Sequence, residues 1–231
     1  MTTIIDRIVI AVPDLIAAQN EYKLLLGVEA LEAHEPGVEQ RVWFALTNTV
    51  IELRQQPIEE AAICGLVFAN TEYNRVDSPL SNPFNLPLQI CDGQQTALFR
   101  RNQTTACSGL SVDHIVLQTL DADACVTFFT EQLGIRLALD KTVPKWGGRM
   151  LFFRTGKLTL EVSEAYKGRP EKDYFWGIAL QCKDIETTSY KLEHEGVALS
   201  KVRVGRKPGT RVASVKSHAL GIPTLLIEPV T

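Results

Sequence analysis

The sequence predicts an α+β protein built from four consecutive β-α-β-β-β units, two in each half, whose strands form curled mixed sheets. Two observations lead to this fold class. Residues 112–163 show a strand, a helix and three more strands, because the apolar period changes from 2 to 3.6 and back. The same order recurs near the amino terminus, where Asp6 and Glu52 correspond to Asp113 and Glu161 at offsets of 107 and 109 residues. Two offsets this close indicate an internal duplication.

The unit at 112–163 is the clearest of the four. Its first strand alternates, which places Ile115 on an apolar face and His114 on the other face. A helix is predicted from Asp121, a suitable N-cap, to Gly134, a suitable stop. Strands are predicted after the helix at residues 136–143, 149–155 and 158–163. In the last of these strands Glu161 lies on the face that is not apolar.

The first half repeats this unit, but one residue of its first strand differs in chemical type. Residues 4–12 match the strand at 112–118, but Arg7 stands where the second half has His114. Glu52 occupies the place of Glu161 in the last strand of the unit. Strands are predicted in this unit at residues 28–33, 40–46 and 49–54.

Each half continues with a second unit. Residues 70–87 are rich in Asn, Ser and Pro and lack an apolar stripe, so a loop is predicted in place of the helix. In the last unit Asp184 is expected to cap a helix that ends near residue 195. The remaining strands are predicted at 65–68, 86–91, 97–101, 174–181, 197–204, 211–216 and 224–228. The polar segment 102–109 is predicted to link a domain at 1–105 to a second domain at 109–231.

The amino-acid composition excludes several classes of protein. The 231 residues are 45% hydrophobic with a net charge of −3, which suits one or two globular domains and argues against a nucleic-acid partner. No apolar run is long enough to span a membrane, and the amino terminus lacks the features of a signal peptide. Five scattered cysteines without a C-x-x-C pair indicate reduced thiols. A cytoplasmic protein with a small-molecule partner, and no nucleic-acid or membrane partner, is therefore expected.

The paired units resemble the vicinal oxygen chelate superfamily, which includes glyoxalase I, bleomycin resistance proteins and extradiol dioxygenases. The resemblance covers most of the second half and residues 4–56, and it implies the glyoxalase/bleomycin resistance/dihydroxybiphenyl dioxygenase fold. In that superfamily the first and last strands of the units hold a metal ion. Carried over to this chain, the resemblance implies a divalent ion (Mn, Fe(II), Zn, Ni or Mg) with His114, Glu161 and Glu228 as ligands. Gly177 stands where a fourth ligand, His or Gln, is expected.

This ligand set favours Lewis-acid chemistry on a small, oxygenated and anionic substrate. A divalent ion chelated by two substrate oxygens would stabilise an enolate or oxyanion, and Glu161 or Glu228 would move a proton. The implied function is a metal-dependent glyoxalase-like enzyme of lyase, isomerase or hydrolase type. An extradiol-type dioxygenase is the alternative among enzymes; it would need His218 to reach the metal, because Gly177 supplies no imidazole. The resemblance also leaves room for a ligand-binding protein without catalysis and for a degenerate, metal-free protein.

A basic segment is expected to contact the substrate. Cationic side chains surround a Gly-Pro-Gly turn in residues 201–211. Arg206, Lys207 or Arg211 is expected to grip a carboxylate or phosphate of the substrate. The alternative is a solvated basic hairpin.

Three aromatic side chains are further candidates for the site. Trp146 and Trp176 are expected to line the cup, with simple core or lid packing as the alternative. His218 lies just before the last strand and is a candidate acid–base residue, because histidine titrates near neutral pH. The alternative for His218 is an exposed turn histidine.

The first half is expected to lack a metal site. Arg7 stays protonated and carries only hydrogen-bond donors, so it cannot bind a cation. Arg7 is therefore predicted to form an ion pair with Glu52, with anion binding as the alternative. A homodimer is the expected assembly, although four units in one chain can close both cups internally.

Overall fold

Two mixed β-sheets, one from each half of the chain, form the frame of the protein in this computed structural model, which describes residues 3–32, 40–73, 77–102, 109–144 and 147–229. The described strands of the first sheet are β1 (Ile4–Val12), β2 (Leu31–Glu32), β3 (Arg41–Ala45), β4 (Val50–Gln55), β5 (Ala62–Ala69), β6 (Ser78–Pro79) and β7 (Leu88–Cys91). They lie in the order β2-β3-β4-β1-β5-β7-β6. Helix α1 (Leu15–Leu26) follows β1, and helix α2 (Gln94–Asn102) follows β7.

The second sheet has the same design. Its described strands are β8 (Ser111–Gln118), β9 (Arg136–Val143), β10 (Gly148–Thr155), β11 (Leu158–Ala165), β12 (Tyr174–Gln181), β13 (Arg203–Val204), β14 (Thr210–Val215) and β15 (Thr224–Pro229). Their order is β13-β14-β15-β12-β8-β11-β10-β9. Helix α3 (Ala122–Val126) continues as a π-helix (Thr127–Gln132), and helix α4 (Ile185–His194) follows β12.

Equivalent strand pairs in the two sheets reveal the duplication. In the first sheet β1 pairs with β4 in parallel and with β5 antiparallel. In the second sheet β8 pairs with β11 in parallel and with β12 antiparallel. The outer units repeat the parallel pairing, β5 with β7 and β12 with β15. The α+β class and the duplicated units predicted from the sequence are therefore confirmed.

Three helices begin at an aspartate N-cap. Asp14, Asp121 and Asp184 have extended backbones, and each side chain accepts a hydrogen bond from the backbone N–H three residues later. Such a cap satisfies one of the N–H groups that the first helical turn leaves without a partner. Asp121 and Asp184 are the caps that the sequence predicts.

One apolar core spans the two sheets. Phe84, from the first half, stacks on Phe129 with ring centroids 5.9 Å apart and meets Phe128 edge-on at 5.5 Å. Phe68 on β5 also contacts Phe129. Each fully buried aromatic side chain of this kind stabilises the fold by roughly 1.5–3 kcal/mol. The aromatic residues of the π-helix consequently contribute to the packing between the two halves.

Residues 97–101, predicted as a strand, lie instead in helix α2. Asp92 accepts a hydrogen bond of 2.9 Å from the N–H of the first helical residue, which favours a helix start. Thr96 and Phe99 then lie one turn apart, and Phe99 packs on Trp43 with a centroid distance of 5.7 Å. Thr96 and Phe99 therefore make their buried contacts from one side of a helix. Their partners, Asp6 on β1 and Trp43 on β3, are distant in the sequence.

Two predicted strands are shorter than expected. Of the strand predicted at 28–33, the described residues 28–32 form only β2. The strand predicted at 197–204 is reduced to β13 and an isolated bridge from Leu199 to Val215. Both lie at a sheet edge, where a strand has one neighbour and little apolar contact to extend its pairing. The link predicted at 102–109 lies mostly outside the described residues.

The described cysteines carry free thiols, as expected from their scattered spacing: Cys64, Cys91, Cys125 and Cys182. Burial raises the pKa of the Cys91 and Cys125 thiols to about 12, so both thiols stay protonated near neutral pH. Among the described helices, none is long and apolar enough to cross a membrane.

Candidate active site

His114, Thr159 and Glu161 lie on one face of the second sheet, which we call the cup face. His114 on β8 lies opposite Thr159 on β11, and Glu161 follows Thr159 by two residues, which returns its side chain to the same face. His114 Nε2 is 4.0 Å from Glu161 Oε2. The other face of these strands packs into the core through Ile115 and Leu160. The structure thus brings together two of the residues predicted for the site.

Asp113 orients the ring of His114. Its Oδ2 atom is 2.8 Å from His114 Nδ1. Burial alone would raise the pKa of Asp113, but the hydrogen bond and charge of His114, with the charges of Lys207 and Arg154, lower the pKa below its ordinary value. An ionised Asp113 holds the imidazole proton on Nδ1, which leaves Nε2 as the proton acceptor beside Glu161.

Sequence reasoning did not assign a role to Asp113, although a signal for it was present. An aspartate directly precedes the exchanged residue in both copies of the first strand, as Asp6-Arg7 and as Asp113-His114. In the first copy Asp6 lies 3.6 Å from Arg7 Nε, so both aspartates accompany the side chain that follows them. The repeated dipeptide therefore marks a repeated side-chain contact as well as the duplication.

Glu161 is a carboxyl group that binds a proton more readily than an exposed glutamate. Burial raises the pKa of Glu161, and the charge of Asp113 adds to this effect, while His114 and Arg206 oppose it. A raised carboxyl pKa suits a group that exchanges protons with a substrate. His114 and Glu161 are therefore a candidate acid–base pair on the cup face.

Glu161→Gln is expected to stabilise the protein near pH 7 and to have less effect near pH 4. Because the folded-state pKa of Glu161 is raised, its contribution to stability is present below the unfolded pKa and is lost as pH rises through the folded pKa. Glutamine is neutral at both pH values and so avoids this loss. Urea unfolding at the two pH values measures the effect, with the exposed Glu131→Gln as control. Equal shifts of the midpoint at both pH values would contradict this account.

Glu228 does not reach the cup face, which corrects the sequence prediction. Its carboxylate accepts hydrogen bonds from the N–H of Ile185 (2.9 Å), at the start of α4, and from Arg211 Nη2 (2.7 Å). Glu228 follows Leu226 by two residues on β15, and Leu226 belongs to the core beneath α4. A carboxylate at a helix N-terminus is stabilised there. The described residues contain no group of three His, Cys, Asp or Glu side chains that could hold a metal ion.

The strand register explains why the last unit adds no ligand. β12 pairs with β15 as β8 pairs with β11, so Gly177 corresponds to His114 and Leu225 corresponds to Glu161. A Cβ atom at Gly177 would lie 2.4 Å from the carbonyl oxygen of Pro223, so the close approach of the backbone excludes a larger residue. Leu225 has no donor atom. The two remaining side chains do not fit a metal centre with three or four protein ligands, which is what the resemblance implies.

The basic segment is divided between the two faces of the sheet. Burial is the largest influence on the pKa of Glu161 and of Asp113, and the charges of Arg206 and Lys207, respectively, oppose it. Both cations are thus close enough to act on the acid–base pair. Arg211, which was also predicted to contact the substrate, pairs instead with a glutamate of α4 (3.0 Å) and one of β15 (2.7 Å). The structure therefore places Arg211 on the helix face and does not bring it to the acid–base pair.

The other predicted residues do not join the acid–base pair. His218 lies in the turn after β14 with a φ of 59°, and its Nδ1 is 2.7 Å from Ser217 Oγ. None of the contacts between described residues connects it to His114. Trp176 is 48% exposed at a bulge of β12, a position that leaves its ring open to solvent. Trp146 lies outside the described residues.

In the first sheet Arg7 forms the ion pair that the sequence predicts. Its Nε atom is 3.7 Å from Glu52 Oε2, and its guanidinium also donates to Asp77. Glu52 is fully buried and accepts hydrogen bonds from Trp43 Nε1 (2.9 Å) and from Arg54 Nη2 (2.6 Å). Carboxylates thus surround Arg7 at the place that corresponds to His114, which argues against a role in binding anions.

The fold and the acid–base pair define a protein of duplicated β-α-β-β-β units with its candidate site in the second half. Residues 111–218 match the family model of the Glyoxalase/Bleomycin resistance protein/Dioxygenase superfamily. This match confirms, for residues 111–218, the resemblance predicted from the sequence. No curated protein matches the chain.

Solved structures extend the likeness of fold to the whole chain. A mutant of 4-hydroxymandelate synthase from Streptomyces coelicolor is 12% identical with a TM-score of 0.71, and the match covers 99% of this chain and 93% of that one. A xylose isomerase-like TIM barrel/4-hydroxyphenylpyruvate dioxygenase fusion protein is 13% identical with a TM-score of 0.69, covering 100% and 50%. Methylmalonyl-CoA epimerase from Mycobacterium tuberculosis is 17% identical with a TM-score of 0.44, covering 52% and 88%. The first two matches show that both halves share this fold.

Proposed function

We propose that this protein is a glyoxalase-like enzyme of lyase or isomerase type that moves a proton at a carbon next to a carbonyl group. Its substrate is a small, oxygenated and anionic molecule bound on the cup face. The observation that carries the proposal is the alignment of Asp113, His114 and Glu161, with Nδ1 held by Asp113 and Nε2 facing Glu161. A base oriented by a carboxylate and placed beside a second acid is the arrangement that general acid–base catalysis requires.

Each member of the alignment has a separate task. Asp113 keeps the proton of the His114 ring on Nδ1 and stabilises the imidazolium that forms when Nε2 takes a proton from the substrate. Glu161, whose pKa is raised by burial, returns a proton to the substrate at a neighbouring atom. Arg206 and Lys207 favour an anionic substrate, because their charges act on the same site.

The proposal assigns no step to a metal ion. The superfamily resemblance implies a divalent cation, but His114 and Glu161 are the two donors at the corresponding strand positions, and Gly177 and Leu225 fill the other two. Extradiol chemistry would need a second imidazole at Gly177, where the backbone of Pro223 leaves no room for one. These positions favour proton transfer by side chains over dioxygenase chemistry.

His114→Ala is expected to reduce proton exchange at least about 100-fold, because general-base catalysis contributes roughly 10²–10⁴-fold. The assay follows exchange of C–H for deuterium by NMR in pyruvate, 2-oxobutanoate and dihydroxyacetone phosphate. Glu228→Gln is the matched control, because Glu228 lies on the helix face and the amide retains an acceptor for the N–H of Ile185.

The assay is run after chelator treatment and again with each of Mn²⁺, Fe²⁺, Zn²⁺, Ni²⁺ and Mg²⁺. Exchange that survives chelation and is lost in His114→Ala supports the proposal. Exchange that appears with one added cation would restore the metal-dependent interpretation, with His114 and Glu161 as its ligands. Exchange that is equal in the native protein and in His114→Ala would contradict both.

A ligand-binding protein without catalysis is the second candidate. The observation that favours it is the absence of donor atoms at Gly177 and Leu225, which leaves half of the expected ligand positions apolar. Saturable binding of the same three compounds without any exchange, equal in the native protein and in Glu161→Gln, would support this candidate over the enzyme.

A further inference from the structure

Arg154 and Arg136 form an arginine pair at the edge of the cup face. Arg154 on β10 lies directly opposite Arg136 on β9, and directly opposite Thr159 on its other side. Residues directly opposite in an antiparallel pair share a face, so the arginines and Thr159 lie on the cup face. Because Thr159 is also opposite His114, a single row of side chains runs from the arginine pair to the base.

The arginine pair forms no ion pair among the described residues. Arg154 Nη1 donates to Thr159 Oγ1 at 2.7 Å, and no described carboxylate lies within ion-pairing distance of either guanidinium. The charged side chain of Asp113, also on the cup face, differs because it has a partner in His114. Like charges directly opposite on neighbouring strands destabilise a sheet. Two exposed cations on one face, one of them held by Thr159 beside the base, indicate a site for a bound anion.

The position of Arg154 fits a carboxylate that belongs to the molecule on which His114 acts. Thr159 holds the guanidinium over β11, and neighbouring strands are about 4.8 Å apart, so the guanidinium lies about one strand spacing from β8 and His114. A planar guanidinium binds a carboxylate through two parallel hydrogen bonds. The charge of Arg154 also lowers the pKa of Asp113 against the effect of burial, as expected for a cation close to the base.

The geometry points to a carboxylate-binding subsite formed by Arg154 and Arg136, which selects short carboxylic acids whose acidic carbon lies close to the carboxylate. This inference rests on the proposed function for the identity of the reacting carbon. The subsite itself needs only the arginine pair. Arg154 is a substrate-positioning residue here: it places the acid so that the carbon beside the carbonyl group faces Nε2 of His114.

Calorimetric titration with pyruvate and malonate tests the subsite, with methyl pyruvate as the uncharged comparison. Arg154→Ala is expected to weaken binding of both acids about 10-fold or more and Arg136→Ala to weaken it less, while Arg154→Lys retains part of the affinity. Binding of methyl pyruvate is expected to be equal in all variants. Lys191→Ala, which removes an exposed cation from α4 on the other side of the sheet, is the matched control.

Thermal unfolding provides a second measurement and checks that the variants are folded. Arg136→Ala is expected to unfold at the same temperature as the native protein or higher, because it removes a like-charge repulsion. Arg154→Ala also loses the hydrogen bond to Thr159, so it is expected to unfold at a temperature close to that of the native protein. The subsite is refuted if the acids bind Arg154→Ala as tightly as the native protein, or if neither acid binds the native protein at millimolar concentration. His114→Ala separates this inference from the proposed function, since it is expected to keep acid binding and to lose proton exchange.

Discussion

Glu52→Ala is expected to lower the free energy of unfolding by about 3 kcal/mol or more, since removal of one partner of a buried ion pair leaves an uncompensated charge. Glu52 is fully buried and accepts hydrogen bonds from Trp43 and Arg54. Arg7, whose Nε lies 3.7 Å away, would lose one of its carboxylates. The loss therefore affects two cations and an indole N–H at once.

Urea unfolding measures this loss of stability, and two further variants serve as comparisons. Glu52→Gln retains the shape and an acceptor for Trp43 but lacks the charge, so its loss is expected to be smaller. Glu131→Ala, at an exposed position of the π-helix, is expected to change stability by less than about 0.5 kcal/mol. A loss below about 1 kcal/mol in Glu52→Ala would show that the ion pairs of the first sheet contribute little to folding.

Gly177→His is expected to destabilise the protein by about 3 kcal/mol or more, or to prevent folding, and to bind no additional metal. The first side-chain carbon would meet the carbonyl oxygen of Pro223 at 2.4 Å, and the two strands would have to separate. Overpacking of a well-packed site costs about 1–3 kcal/mol and more when backbone must move. Gly65→Ala tests the same contact in the first sheet, where the Cβ would lie 2.2 Å from the carbonyl oxygen of Pro87.

Leu225→Glu is the matched comparison for Gly177→His. It places a carboxylate on the cup face at the position that corresponds to Glu161, where a side chain is already accommodated. Urea unfolding and elemental analysis of the two variants after incubation with Mn²⁺ and Zn²⁺ distinguish the two effects. A stable Gly177→His variant that binds one equivalent of metal would show that glycine is not required at this position.

Much of the strand pattern was predictable from local sequence. The strands predicted at 136–143 and 174–181 have those bounds in β9 and β12. Each is an alternating or apolar run with turn residues near its ends, and such patterns are local properties of the chain. The duplication was predictable for the same reason, since both copies of the unit carry the pattern in the same order. Helix α2 was not, because it is specified by contacts of Thr96 and Phe99 with distant strands.

In the candidate site, too, some features are predictable from local sequence and others are fixed by strand pairing. The sequence alone determined that His114 and Glu161 face away from the apolar side of their strands, because side chains alternate with a period of two. Only the tertiary structure decided which residue of the last strand corresponds to Glu161. The pairing of β12 with β15 puts Leu225 there and turns Glu228, three residues later, to the helix face. An odd number of residues along a strand reverses the face, and the register that sets this number arises from pairing between segments far apart in the chain.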